Sequence, residues 1–358
     1  MIEVAGALRE YAWGRHDGLA EWTVVTDGPQ AELWFGDHPS APSPRPDGEL
    51  PERTGELPLL VKLLAAARPL SIQVHPPAAL AARWWAEREG GAPVLADPHE
   101  KTELLLALDD FSTLVGFRPP SEVADLLEAV GLRAEAAIAR RYGTAAAVAE
   151  VLRLGPAPRD AALAAMPAAA ATLLPAADAS ALTEVLADYP GDGGALVALC
   201  LRHHLLRPGD AVFVPAGTVH AYVRGLAVEV MTSSDNVLRL GLTPKHIDVD
   251  AALAAADVSL EARVLTSPGL PVAEYAPEGS PFAVARLHGL AGQEAQLDSP
   301  AAPGRVVLAV HGTAEVDVAG GDGVPLDIAP GRALLLGPED PAVRVRTRGL
   351  AVVATSTP

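Results

Sequence analysis

The spacing of apolar residues changes character twice along the chain. Residues 1–118 carry short β-like runs between turn residues, with a Pro-rich stretch from Pro39 to Pro51 that reads as an irregular loop. Residues 119–205 differ. Pro119-Pro120-Ser121 is a helix start, and Val123, Leu126, Leu127 and Val130 follow at helical spacing. Further Ala- and Leu-rich segments between Gly131, Pro156, Pro175 and Pro190 predict several short helices, with His203-His204 at the end of the last one. From Leu206 the β texture returns, in runs such as Val306–Val310, Ala314–Val318, Ala333–Leu336 and Ala342–Val345. The pattern predicts a mainly β protein with an α-helical insert. One β domain spans 1–118 and 206–265, an all-helical domain fills 119–205, and a second β domain of sandwich or jelly-roll type spans 266–358.

Composition narrows the function. The 358 residues are 49% hydrophobic, enough for packed cores, and the net charge is −18. Such an acidic chain is a poor partner for nucleic acid or anionic membrane, and an anionic substrate would need a local cationic pocket. A single cysteine, Cys200, rules out an intrachain disulfide and suits a reducing compartment. Met1-Ile2-Glu3-Val4 does not open a signal peptide. The longest uncharged stretch, 161–177, is 17 residues, mostly Ala, and contains two prolines. A membrane span needs about 20 strongly apolar residues. The expectation is a cytoplasmic monomer acting on a small molecule.

Polar residues on strand faces carry the chemistry. In Leu70-Ser71-Ile72-Gln73-Val74-His75, alternation puts Ser71, Gln73 and His75 on one face and the apolar residues on the other. Lys101 and Glu103 share a strand face at the start of Leu104–Leu108. Alone, the first segment reads equally as a solvated strand face, and for the second a charged strand entrance in solvent is the favoured reading. A third segment decides between the readings. Gly209 to His220 fits G-x5-P-x-G-x2-H, which resembles the second motif of the cupins, double-sheet β-barrels with a metal in the mouth. Pro215 and Gly217 form a tight turn, and His220 follows it inward; Arg224 stands where that motif usually ends in Asn. Gln73, His75, Glu103 and His220 make a four-ligand set of two imidazoles, a carboxylate and an amide oxygen. Zinc accepts such a set, and two His with one Glu also satisfy a non-haem Fe(II) triad.

Several segments together resemble type I phosphomannose isomerases. They are Tyr11-Ala12-Trp13-Gly14, Ala31 to Pro39 (AELWFGDHP), Leu70 to Pro76, Lys101-Thr102-Glu103, Pro215 to Tyr222 and the run Ser234 to Lys245. The resemblance covers residues 1 to about 250. It implies two cupin-type β domains, one zinc ion per chain on Gln73, His75, Glu103 and His220, and interconversion of mannose 6-phosphate and fructose 6-phosphate. The family's catalytic and substrate-contacting positions fall on Ser71, Lys62, Lys101, Glu229, Asp235, Arg239 and Lys245. Thr102 replaces a usual proline and Leu240 a usual small residue.

An aldose–ketose isomerase needs a base near the C2 proton and stabilisation of an enediol. Glu229 shares a strand face with Ala227 and Met231 and is the first choice for that base, with Asp235 and Lys101 as rivals. Arg239 is read as an electrostatic or ring-opening group. Lys62, Lys245, Arg239 and the Ser71 hydroxyl are the candidates for the phosphate. The rivals are an Fe(II) dioxygenase and a non-catalytic sugar-phosphate-binding cupin. Gly331 to Gly337 resembles the start of a cupin motif without a histidine, so the second β domain is expected to hold no metal. His246 is expected to be exposed.

Overall fold

The computed structural model describes residues 1–51, 57–91, 93, 95–289, 293–320 and 324–357. The strand Leu59–Ala66 shows how the centre is built. It is buried along its whole length, so both faces must be filled. Leu59, Val61, Leu63 and Ala65 pack outward against the C-terminal half, while Leu64 and Ala66 enter the barrel core with Leu105, Phe111 and Tyr222. Lys62 is the one charged residue in this strand, and alternation turns it inward. Its neighbours run in the order Ala7–Arg9, Glu32–Phe35, Leu59–Ala66, His220–Thr232, Glu103–Ala107, Ala211–Val214 and Arg263–Leu265.

The 13-residue strand His220–Thr232 continues into a second wall, where it meets Ile72–Val74 and Phe111–Phe117. It bends between the walls. The register slips between Tyr222 and Arg224, and Gly225 sits at φ 144°, where a Cβ would lie 2.3 Å from a Phe111 ring carbon. Only glycine turns this corner. Leu238–Gly241 pairs beside Ile72–Val74 and completes the side of the barrel nearest the cleft.

The helices Pro120–Ala129, Arg133–Tyr142, Thr144–Leu152, Pro156–Leu173, Ala176–Asp188 and Gly194–Leu199 follow one another without an intervening strand. Pro120 and Pro156 occupy the first helical turn, where a missing N–H costs nothing. The bundle covers the outer face of the second wall, burying Ile72, Val74, Leu238 and Leu240. Leu240 therefore faces the helices while Arg239 faces away. Cys200 is buried here, and burial pushes its thiol up to about 12.

One expectation is corrected. His203-His204 do not end a helix, because Leu201–Leu206 is a strand paired with Phe111–Phe117. The Leu- and His-rich run lacks the β-branched residues that mark strands, and pairing with a neighbour overrides weak propensity. The C-terminal residues form a six-stranded and a four-stranded sheet around Leu287, Val307, Leu334, Val343 and Val353. Ile2–Ala5, from the opposite end of the chain, supplies the edge strand of the six-stranded sheet by pairing with Arg332–Leu335. No helix is long and apolar enough to cross a membrane among the described residues.

Candidate metal centre

Three strands and one turn bring the polar residues together. Gln73 lies directly across from His220 on one side and from Arg239 on the other. Glu103 pairs with Met231 and Val214, and the Pro215–Gly217 turn then returns the chain to His220. The Gly217 N–H donates to the His75 carbonyl at 2.8 Å, which ties this turn to the Ser71–His75 segment. As a result His75, Glu103 and His220, all buried, place ligand atoms within 4.8 Å of one another.

The hydrogen bonds fix the tautomers. His75 Nδ1 lies 2.6 Å from the Asn236 carbonyl and His220 Nδ1 lies 2.9 Å from the Thr218 carbonyl. A carbonyl only accepts, so both Nδ1 atoms carry the proton and both Nε2 atoms present a lone pair. Those lone pairs face the Glu103 carboxylate, at 3.3 Å from Oε1 for His75 and 3.2 Å from Oε2 for His220. His75 Nε2 is buried with no hydrogen-bond partner. Lone pairs converging on a carboxylate repel unless a cation lies among them, so this donor set fits a divalent metal such as zinc. The Gln73 amide nitrogen donates to Ser71 Oγ at 3.1 Å, which leaves its oxygen free to act as a fourth donor.

Around the three donors lies a buried charge network. Lys101 binds Glu103 Oε1, and the Tyr222 hydroxyl donates to Glu103 Oε2 at 3.0 Å. Burial works to raise the Glu103 carboxyl, but the Lys101 ammonium outweighs it and holds the group well below its ordinary range. Burial, reinforced by Lys101, lowers His75 to about 4. Lys62 sits 2.8 Å from Glu229 and 3.8 Å from Glu32, over the face of Trp34. Burial opposes its charge, yet the two carboxylates raise its pKa above the ordinary lysine value. Burial raises Glu229 in spite of Lys62.

One cleft is lined by Lys62, Ser71, Gln73, Lys101, Glu103, His220 and Glu229, all singled out from the sequence. Arg239 instead lines a neighbouring cleft with Leu238, His246 and Asp248. Asp235 is exposed at the rim, 3.6 Å from His38, and Lys245 is exposed on the loop that follows. His246 is also exposed. Tyr222, Glu32 and Asn236 have no role that the sequence pattern alone assigns. Tyr222 was within reach, because it lies two residues beyond His220 on the same strand face.

These pKa shifts predict a pH dependence for the metal-free chain. Unfolded His75 titrates near 6.5 and folded His75 near 4, so the unfolded state binds more protons between those values. Stability is therefore retained above about pH 6.5 and lost as pH falls toward about 4. Below that range protonation of Glu103 adds a loss of the same sign. Thermal melts of chelator-treated protein are expected to show the midpoint falling across this interval. A flat or rising midpoint contradicts the assignment.

A β-barrel with buried His, Glu and His donors converging at one end defines the chain as a metal cupin. Residues 1–120 match the family described as phosphomannose isomerase type I, catalytic domain. The mannose-6-phosphate isomerase of Salmonella typhimurium is 33% identical, with 98% of each chain covered. The human protein of that name is 31% identical over 68% of this chain and 70% of its own. A crystal structure of zinc-bound mannose 6-phosphate isomerase superposes with a TM-score of 0.82 at 30% identity, covering 99% of both chains. The apo form from Salmonella typhimurium gives the same TM-score at 28% identity. The chain belongs to the type I mannose-6-phosphate isomerase family.

Proposed function

We infer that the protein is a zinc-dependent aldose–ketose isomerase that interconverts mannose 6-phosphate and fructose 6-phosphate. The observation that carries this reading is the convergence of the His75, Glu103 and His220 donors, in the cleft that also holds Lys62, Lys101 and Glu229. We assign the zinc to Gln73, His75, Glu103 and His220. Bound zinc supplies Lewis-acid stabilisation of the negative oxygen that develops in the enediol.

The chain's own residues account for the remainder. Glu229 is assigned as the base that moves the proton between C2 and C1. Its raised pKa brings it closer to the working pH, where a carboxylate can both take and return a proton. Lys62 fixes the orientation of Glu229 through their 2.8 Å contact. Lys101 faces the same cleft and can share the proton transfer, and Ser71 offers a hydroxyl to the substrate. With ionised side chains, Glu32, Glu103 and Glu229 outnumber Lys62 and Lys101 by one charge. A divalent ion reverses that sign, so the loaded cleft favours the negative oxygen that develops on the sugar. Arg239, Lys245 and Asp235 lie farther out, at positions suited to the phosphate and the open-chain sugar.

In this assignment 1–118 with 206–265 is the catalytic unit, 119–205 braces its outer wall and 266–358 packs behind it, with Ile2–Ala5 completing the C-terminal sheet. We assign the enzyme to the cytoplasm as a monomer with no nucleic-acid partner. An Fe(II) dioxygenase would need neither Gln73 nor the buried Lys62–Glu229 pair, and a binding protein would need no proton-transfer groups.

A coupled assay over a panel of hexose 6-phosphates, with metal quantified, tests the reading. Turnover of mannose 6-phosphate with one zinc per chain is expected. Oxygen uptake with bound iron would overturn it. Arg239→Ala is expected to lower kcat about 100-fold, the scale for losing one stabilising donor, with zinc content unchanged. An unchanged kcat removes Arg239 from the reaction.

A further inference from the structure

Asn236 lies just before the strand Leu238–Gly241 and is almost fully buried. Its backbone carbonyl accepts the His75 Nδ1 proton at 2.6 Å. Its side chain does different work. Oδ1 accepts from the backbone N–H of Ala96 at 2.8 Å and of Asp97 at 3.3 Å. Nδ2 donates to the carbonyls of Asp97 at 2.8 Å and His99 at 2.7 Å. Two N–H donors on one side and two carbonyls on the other leave the amide a single orientation. The strap is doubled by Asp97, whose carboxylate accepts from Ser234 Oγ at 2.9 Å and from the Asp235 N–H at 2.9 Å. Ser234 is also fully buried.

The segment 234–236 is thus clamped to the loop 96–99, and the clamp holds one atom that matters to the centre, the carbonyl opposite His75. That carbonyl fixes the tautomer that leaves the His75 Nε2 lone pair free, and nothing else contacts Nδ1 among the hydrogen bonds of the described residues. Loop backbone without such anchoring would let the carbonyl swing, and the imidazole would then rotate or change tautomer.

We propose that Asn236, seconded by Ser234 and Asp97, is a positioning residue that sets the metal affinity of the centre by holding the carbonyl that orients His75. This rests on the zinc assignment above and adds a role for residues that touch neither metal nor substrate. The effect is in the range of outer hydrogen-bond partners of metal ligands, about 10–100-fold in affinity.

The test is zinc affinity, measured by competition with a chromophoric chelator on folded wild-type protein, Asn236→Ala, Asn236→Asp and Ser234→Ala. Asn236→Asp keeps the Oδ1 acceptor and turns the Nδ2 donor into an oxygen facing two carbonyls, so it is expected to lose affinity as Asn236→Ala does. Ser234→Ala removes the Oγ contacts with the Asp97 carboxylate and the Asn236 N–H but leaves the Asn236 amide clamp in place, so it is expected to lose a smaller factor. With saturating zinc, kcat is expected to recover to within a few-fold of wild type, which separates positioning from a catalytic role. Zinc Kd within twofold of wild type in every folded variant overturns the proposal, and Ser234→Ala decides alone should both Asn236 variants fail to fold. Failure of the wild-type protein to bind zinc overturns the zinc assignment instead, and the two results are distinct.

Discussion

Replacing His220 with alanine is expected to lower kcat/KM for mannose 6-phosphate by at least about 1,000-fold and to leave the purified protein with well under one zinc per chain. The imidazole is fully buried, its Nδ1 committed to the Thr218 carbonyl and its Nε2 directed at the Glu103 carboxylate. No neighbouring side chain can replace that lone pair, because Tyr222 already donates to the same carboxylate. Metal stabilisation of a developing oxyanion amounts to several kcal/mol, and about 4 kcal/mol corresponds to roughly a thousandfold in rate. Gln73→Ala is expected to act in the same direction. Steady-state kinetics with metal analysis on the same samples checks both. A variant with a full zinc complement and activity within tenfold of wild type would remove His220 from the ligand set.

The second large effect is on stability. Lys62→Met is expected to destabilise the fold by about 3–5 kcal/mol, the cost of leaving buried charge without its partner. Lys62 Nζ lies between Glu229 and Glu32 and against the Trp34 ring, with 6% of its side chain exposed. Methionine keeps the length and apolar stem but abandons two carboxylates. Glu229→Gln leaves Lys62 with Glu32 and keeps the shape, so it is expected to cost distinctly less. Urea unfolding followed by tryptophan fluorescence compares the two. A Lys62→Met midpoint equal to that of wild type would mean that the carboxylates are stabilised by something other than this lysine.

Much of this was legible in the sequence because alternation is reliable where both strand faces are buried. Ser71, Gln73 and His75 fall on the barrel side, while Ile72 and Val74 join the helical core. On alternation alone Lys101 and Glu103 read better as a solvated strand entrance, and only the fold brings them to His75. Residues on irregular backbone were harder to place. Asp235 and Lys245 sit on exposed loop, where no periodicity fixes direction. The pairing of Ile2–Ala5 with Arg332–Leu335 joins residues more than 300 positions apart, beyond the reach of local pattern. The strand that carries His203-His204 is hidden from local pattern, because a Leu-rich run has no strand signature until its partner strand is in place. Glu32 was visible as part of a motif, yet its contact with Lys62 depends on strand order alone.

The central claim is that zinc held by side chains far apart in sequence performs the isomerisation. It is tested most directly by removing the zinc with a chelator, verifying its absence, and assaying mannose 6-phosphate before and after zinc is returned. The account predicts that turnover falls to about 1% or less and recovers as zinc approaches one per chain. Undiminished turnover in verified zinc-free protein would contradict it.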